Sequence, residues 1–153
     1  MENIQELSYY GLFLATTLAA TIIPFSADVV YIAFLAFGYD IFLSLIVATS
    51  GNWIGSLITY GIGRVGNIKH IEKWFRISLK RLEKQQAVVN KYRSWLALFV
   101  WLPLIGDVFA IALGFYKINF RKTAAFMLLG KFLRFSFLSV AYYFFTENMP
   151  PVL

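Results

Sequence analysis

The chain has 153 residues, of which 59% are hydrophobic, 19% aromatic and only 14% charged. A soluble domain of this size needs more charge to cover its surface, so the composition predicts an all-α integral membrane protein instead. The absence of cysteine excludes disulfides, thiolate nucleophiles and zinc–thiolate sites. The net charge of +6 does not indicate nucleic-acid binding, because most basic residues lie in one central segment between apolar stretches.

Four apolar blocks follow one another along the chain: Leu7–Gly38, Ile41–Gly63, Trp95–Tyr116 and Thr123–Phe145. The second and fourth have the length of single spanning helices, which need about 20 apolar residues. Pro24 and Asp28 interrupt the first block, and Pro103, Gly106 and Asp107 interrupt the third. Because proline breaks the helical hydrogen-bond ladder, each interrupted block is predicted to form two half-helices around a turn. Such a block can be a re-entrant hairpin that leaves the membrane on the side where it entered.

Charge placement predicts the topology. The segment between Arg64 and Arg93 and the short connection around Lys117 are both basic, so both are expected to be cytoplasmic. They lie on the same side only if the third block is a hairpin. By the same logic Asp40 and Glu147 lie outside. The acidic N-terminus has no small-residue cleavage site after it, so it is not predicted to be a signal peptide.

The connector, residues 64–94, has an amphipathic pattern. Ile71, Phe75, Leu79 and Leu82 recur at helical spacing among lysines and arginines. This pattern predicts a helix that lies on the inner membrane surface and contacts anionic inner-leaflet headgroups. A solvated basic loop is the alternative. His70 lies in this segment, and no role is assigned to it.

The chain matches itself when it is shifted by 79 positions. The coinciding pairs are Pro24 and Pro103, Asp28 and Asp107, Val29 and Val108, Ile32 and Ile111, Ala33 and Ala112, and Gly51 and Gly130, with Asn52 opposite Lys131. A single membrane domain, 1–153, is therefore predicted, with repeat one at about 7–63, the connector and repeat two at about 95–146. Hairpins that enter from opposite sides make this an inverted repeat, as is typical of secondary transporters.

Four charged residues inside the apolar blocks are the candidate site. Asp28 and Asp107 lie at the hairpin breaks, and Lys131 and Arg134 lie on one face of the last span. A charge inside the bilayer costs roughly 2.5–3.5 kcal/mol on insertion scales, so it rarely persists without a role or a partner. Lys131 and Arg134, with Asn52, are predicted to bind an anionic headgroup. Partial burial favours a neutral carboxyl group, so Asp28 or Asp107 could exchange a proton and couple transport to its gradient.

A purely structural explanation stays open, in which the aspartates neutralise the buried cations. Asp40, Arg64 and Ser26 are secondary candidates. No nucleophile–base pair or metal-ligand cluster is visible in the sequence, so neither enzymatic activity nor a cofactor is expected.

Small residues recur every four positions in the second block, at Gly51, Gly55, Thr59 and Gly63. This spacing predicts close helix–helix packing, and it would also suit a homo-oligomer. Tyr60 and Arg64 are expected to mark the inner membrane interface.

Several short strings together resemble the DedA superfamily, also called the VTT or SNARE-associated family, and its small YqaA-like branch in particular. The resemblance covers about Leu12–Tyr143. The strings are Pro24-Phe-Ser-Ala-Asp28-Val-Val, Gly51-Asn-Trp-Ile-Gly55, Tyr60-Gly-Ile-Gly-Arg64, Leu102-Pro-Leu-Ile-Gly-Asp107 and Gly130-Lys-Phe-Leu-Arg134-Phe.

The resemblance implies a bacterial inner-membrane protein with two facing re-entrant hairpins, whose better-studied relatives move or recycle lipids, including undecaprenyl phosphate and phospholipids. The important acidic residue of proton-dependent members would fall on Asp28, and a second one on Asp40. Typical members carry two arginines around the Pro-Gly of the second hairpin, where this chain has Trp101 and Asp107. Lys131 and Arg134 are predicted to supply the missing charge.

These observations predict a membrane transporter that flips or scrambles a phospholipid or an isoprenoid phosphate, with proton coupling left open. The alternatives are a small-ion transporter or channel, and a membrane scaffold or assembly factor that transports nothing. A lipid-modifying enzyme is the weakest alternative. Membrane lipids are the expected partners.

Overall fold

A computed structural model describes residues 2–21, 26–66, 79–102 and 106–148. These residues form six α-helices and one 3₁₀ helix, and they contain no strand, so the all-α prediction is confirmed. In chain order the elements are α1 (Glu2–Ala19), α2 (Ala27–Ala36), α3 (Ile41–Val65), α4 (Leu79–Tyr92), the 3₁₀ helix (Arg93–Trp101), α5 (Gly106–Phe115) and α6 (Phe120–Asn148).

Two helices, α3 and α6, are long and apolar enough to cross a membrane. At 1.5 Å per residue, their 25 and 29 residues exceed the hydrocarbon core of about 30 Å. They coincide with the two uninterrupted blocks of the sequence. Large apolar side chains of α6 are exposed, as expected for a lipid-facing surface: Leu128, Leu129, Phe132, Leu133, Phe137, Val140, Phe144 and Phe145.

The first hairpin consists of α1 and α2. Near the start of α1, Ser8 Oγ accepts a 2.8 Å hydrogen bond from Tyr39 Oη, and the Tyr9 ring packs edge-on against Phe34. The far end of α1 lies deeper along α3, because Thr59 Oγ1 donates to the carbonyl of Ala20. The open end of this hairpin therefore lies at the start of α3. The predicted break at Pro24 is outside the described residues.

The second hairpin consists of α4 with the 3₁₀ helix, followed by α5. α4 packs against α5, and burial and the negative charge of Glu83 of α4 raise the pKa of Tyr116, in the turn after α5. Tyr60 Oη, near the end of α3, donates a 2.6 Å hydrogen bond to the carbonyl of Ile118, in the turn that follows α5. The ends of α1 and α2 that Ser8 and Tyr39 join thus lie at the start of α3, whereas the turn after α5 lies near the end of α3. Pro103 lies outside the described residues.

The two ends of the bundle differ in charge. One end, called the basic end below, carries Arg64, Lys117, Arg121 and Lys122. The opposite end carries Asp40 and Glu147. This separation follows from the antiparallel course of α3 and α6.

The described part of the connector is a helix, α4, as predicted, and most of its described side chains are exposed. Its Val89 is fully buried in the core cluster that contains residues of α5 and α6. Arg93 takes a φ of 46°, a left-handed conformation in which an α-helix cannot continue, and the chain goes on as a 3₁₀ helix. Ile71 and Phe75, and the side chains of Leu79 and Leu82, lie outside the described residues.

Helix boundaries follow the 79-residue shift found in the sequence. Both ends of α5 lie 79 residues after the corresponding ends of α2, and α6 starts 79 residues after α3. The packing also crosses between the halves, because α5 lies against α3 and α2 lies against α6.

Glycines let α3 approach its neighbours closely, as predicted. A Cβ on Gly51 would lie 2.5 Å from the carbonyl oxygen of Phe13, and one on Gly55 would lie 2.4 Å from that of Thr17. A Cβ on Gly63 would lie 2.3 Å from the carbonyl oxygen of Ile111. Since α1 and α5 of the same chain cover these glycines, they do not offer a surface for a second copy.

We expect Gly55→Ala to destabilise the protein by about 1–3 kcal/mol, because the added methyl group overlaps the α1 backbone. Gly61→Ala is the matched control on the same helix. A Cβ there meets nothing within 4 Å, so alanine should be neutral or stabilise by about 0.5–1 kcal/mol. Unfolding in detergent micelles measures both. Equal effects of the two substitutions would contradict the packing described here.

Candidate functional site

An ion pair joins α2 to α6 near the middle of α6. The guanidinium group of Arg134 donates to Asp28 Oδ2, and the two side chains are only 15% and 27% exposed. Asp28 lies in the first turn of α2, where the helix dipole favours a negative charge. The pair neutralises two charges that would be costly to bury singly.

A second polar contact joins α6 to α3 and α1. Lys131 is 3% exposed, and its ammonium group donates to Asn52 Oδ1. Asn52 Nδ2 in turn donates a 3.0 Å hydrogen bond to the carbonyl of Thr16. Because the Thr16 carbonyl holds the amide nitrogen, the amide oxygen is oriented toward Lys131. Asn52 and Lys131 are themselves 79 residues apart, so they are matching positions of the two halves.

Two neutral contacts continue from the ion pair along α2 and α6. The hydroxyls of Tyr31 and Ser139 are 2.6 Å apart. Ser139 donates its own proton to the carbonyl of Phe135, so Tyr31 is the donor in this pair. One turn further on, Tyr142 Oη donates to the carbonyl of Leu35 at 3.1 Å. We call the three contacts Asp28–Arg134, Tyr31–Ser139 and Leu35–Tyr142 the α2–α6 latch.

Sequence analysis missed Tyr31, Ser139 and Tyr142. Their signal was present, since Tyr31 follows Asp28 by three residues and Tyr142 follows Ser139 by three, which places each pair on one helix face. Tyrosine rings add to the apolar pattern of a membrane helix, so hydropathy does not mark the hydroxyl groups of Tyr31 and Tyr142.

The other predicted residues lie apart from these contacts. Asp40 caps α3, accepting a 2.7 Å hydrogen bond from the Leu43 amide, and Arg64 donates to Tyr60 Oη at 2.9 Å at the basic end. Ser26 is the exposed N-cap residue of α2 and makes no side-chain capping bond. Asp107 is the second residue of α5, and its side chain lies outside the described residues.

Several buried oxygens near the site have no hydrogen-bond partner in the described part of the chain. Thr49 and Ser56 lie about one turn on either side of Asn52, and Thr123 lies on the buried face of α6. Asp28 Oδ1, the carboxylate oxygen that does not face Arg134, belongs to the same set. A buried polar group without a partner costs about 1–3 kcal/mol, so these oxygens are suited to binding water or a polar ligand.

Two apolar helices of spanning length, with the Lys131 side chain held between them, are consistent with an α-helical membrane protein. The sequence model of the VTT domain matches residues 23–144. The chain belongs to the VTT domain (DedA) family, and the predicted resemblance is confirmed.

Relatives are also found among curated proteins. An uncharacterized protein of Haemophilus influenzae is 31% identical over 142 residues, covering 86% of this chain and 85% of the relative. Inner membrane protein YqaA of Escherichia coli K12 is 29% identical over 132 residues, covering 86% and 88%. Uncharacterized membrane protein YbfM of Bacillus subtilis is 28% identical over 145 residues, covering 87% and 90%. No solved structure matches this chain.

A double-mutant cycle tests the ion pair. We expect Asp28→Asn and Arg134→Gln each to lower stability in detergent, and the double variant to lose less than the sum, with a coupling of about 1–3 kcal/mol. The exposed pair Tyr143 and Glu147, also joined by a hydrogen bond, is the control and should show no measurable coupling in the cycle of Tyr143→Phe with Glu147→Gln. Additive losses at Asp28 and Arg134 would refute the ion pair.

Proposed function

We propose that this protein moves a phosphate-bearing lipid, a phospholipid or an isoprenoid phosphate, between the leaflets of the bacterial inner membrane, and that it has no enzymatic activity. One observation carries the proposal. Lys131 and Arg134 lie within one helical turn of each other on a spanning helix, and both are held by polar partners inside the bundle. Apolar residues would fold such a bundle without the cost of burying these cations.

The two cations suit a phosphate in complementary ways. A guanidinium group can bind two phosphate oxygens at once, and an ammonium group adds a compact charge. In the structure Asn52 accepts a hydrogen bond from Lys131 and Asp28 accepts one from Arg134. A headgroup would therefore replace the Asn52 amide at Lys131 and compete with the Asp28 carboxylate for Arg134. A proton on Asp28 would weaken that competition, which is how Asp28 could couple lipid movement to a proton gradient.

The architecture supports the same proposal. The joined ends of α1 and α2 lie at the start of α3, the turn after α5 lies near its end, and helix boundaries are displaced by 79 residues, as an inverted repeat of re-entrant hairpins would produce. Arg64 and the turn at Lys117 lie at one end of α3, and we propose that this end is cytoplasmic. The names of the curated relatives support placement in a bacterial inner membrane.

A small-ion transporter is the second candidate, and a separate observation favours it. Ser56 and Thr123, whose hydroxyls have no partner in the described part of the chain, lie toward the basic end from the Lys131–Asn52 contact, and Thr49 lies on the other side of Asn52. With water between them, such oxygens could form a polar path for a proton or a small cation. A membrane scaffold would need neither these hydroxyls nor the buried cations.

Reconstitution in liposomes tests the proposal. We expect the wild type to accelerate transbilayer movement of a labelled phospholipid or a labelled isoprenyl phosphate. Lys131→Ala/Arg134→Ala should slow it about tenfold or more, because two charge-assisted contacts are lost. Arg121→Ala/Lys122→Ala removes the same two charges from exposed positions of the same helix, so it should leave the rate near that of the wild type.

A pH-sensitive dye inside the same liposomes separates the candidates. Proton or cation flux without movement of either lipid would replace the proposal with the small-ion transporter. If correctly inserted protein moves neither lipid nor ions, the scaffold is the remaining candidate.

A further inference from the structure

We infer that α2 is the moving element of this protein, and that the α2–α6 latch closes a lateral gate through which a lipid headgroup reaches Arg134 and Lys131. The inference rests on the proposed function, because it assigns the route to the same site. The two places where a short helix packs on the spanning helix of the other half differ in chemistry.

The crossing of α5 on α3 is a contact between backbones. A Cβ on Gly63 would lie 2.3 Å from the carbonyl oxygen of Ile111, and one on Gly114 would lie 2.0 Å from that of Tyr60. The adjoining residues 110–113 of α5 are fully buried. Helices this close can separate only by giving up close-packed contacts along the whole crossing, so α5 and α3 are expected to move as one body.

The crossing of α2 on α6 has bulky residues at the matching positions. Shifted by 79, Gly63 corresponds to Tyr142 and Gly114 corresponds to Leu35. These two residues contact each other, through the hydrogen bond from Tyr142 Oη to the carbonyl of Leu35. The Tyr142 side chain thus bridges the gap between α6 and α2, whereas glycines at the matching positions bring the backbones of α3 and α5 into contact. Side-chain hydrogen bonds can be exchanged singly, for water or a headgroup, with no backbone repacking.

The outer face of α2 is exposed at Val29 and Ile32, whereas Tyr31 on the inner face is fully buried against Phe135. The inner face also packs on α1 and α3, so the latch is the part of this contact that joins α2 to α6. Because Asp28–Arg134 is one of the three latch contacts, a headgroup phosphate that takes Arg134 from Asp28 would weaken the hold of α6 on α2. Binding would then favour opening.

Distances between paired spin labels in nanodiscs test the motion without any transport assay. The chain has no cysteine, so labels attach only where cysteines are introduced. One pair, Phe37→Cys with Phe145→Cys, joins the exposed ends of α2 and α6. The control pair, Val65→Cys with Lys117→Cys, joins the end of α3 to the turn after α5.

We expect two distances for the first pair and one narrow distance for the control. Tyr31→Phe, which removes one latch hydrogen bond, should raise the ratio of the longer to the shorter distance about two- to tenfold. A single narrow distance for both pairs, unchanged by Tyr31→Phe, would overturn the inference.

Cross-linking then connects the motion to transport. Tyr31→Cys/Ser139→Cys, bridged by a reducible thiol cross-linker about as long as a tyrosine side chain, should stop lipid movement until reductant is added. The matched control bridges Ser8→Cys and Tyr39→Cys, which are the same two residue types joined by a similar hydrogen bond within the first hairpin. That bridge should leave the rate unchanged. Unimpaired movement through the bridged 31–139 variant would refute the gate.

The two proposals fail in distinguishable ways. A wild type that moves no lipid overturns the proposed function, and the spin-label distances alone then decide whether α2 moves. If the wild type moves lipid and the bridged Tyr31→Cys/Ser139→Cys variant moves it equally fast, the proposed function is supported and the gate is refuted.

Discussion

The structure depends on how charges are accommodated inside an apolar helix bundle. Arg134 lies near the middle of a helix that is otherwise built for lipid contact, and Asp28 at the start of α2 balances it. Asp28 lies in the first turn of α2, where the positive end of the helix dipole stabilises its carboxylate. This stabilisation adds to the attraction between Asp28 and Arg134. The first hairpin therefore has two roles: α2 packs against α6, and its Asp28 balances the charge of Arg134.

Lys131 is accommodated differently from Arg134. Its ammonium group is held by a neutral amide, which is itself fixed by a backbone carbonyl of α1. An amide acceptor is a weaker partner than a carboxylate. The site thus combines a cation that pairs with a carboxylate and a cation that donates to a side-chain amide.

The two halves of the chain share helix boundaries but not the chemistry of their crossings. Glycine brings α5 onto α3 with backbones in contact, whereas tyrosine, serine and an ion pair hold α2 on α6. Close backbone packing favours a single arrangement, because its many dispersion contacts are lost together. Polar side-chain contacts favour an arrangement that a ligand can change. We propose on this basis that the interface of α5 with α3 is rigid and that of α2 with α6 adjustable.

Much of this protein was determined by local sequence. Block length, proline position and the 79-residue shift predicted the long helices and the two broken blocks, because each depends on hydropathy or backbone geometry over short windows. The family was predicted separately, from the resemblance of several short strings. Which polar side chains pair with each other was decided by the tertiary structure. That Arg134 meets Asp28, that Lys131 meets Asn52 and that Tyr31 meets Ser139 follows from the rotation and depth of helices about 80–110 residues apart in sequence. Helical periodicity places a residue on a face, but only packing decides what that face meets.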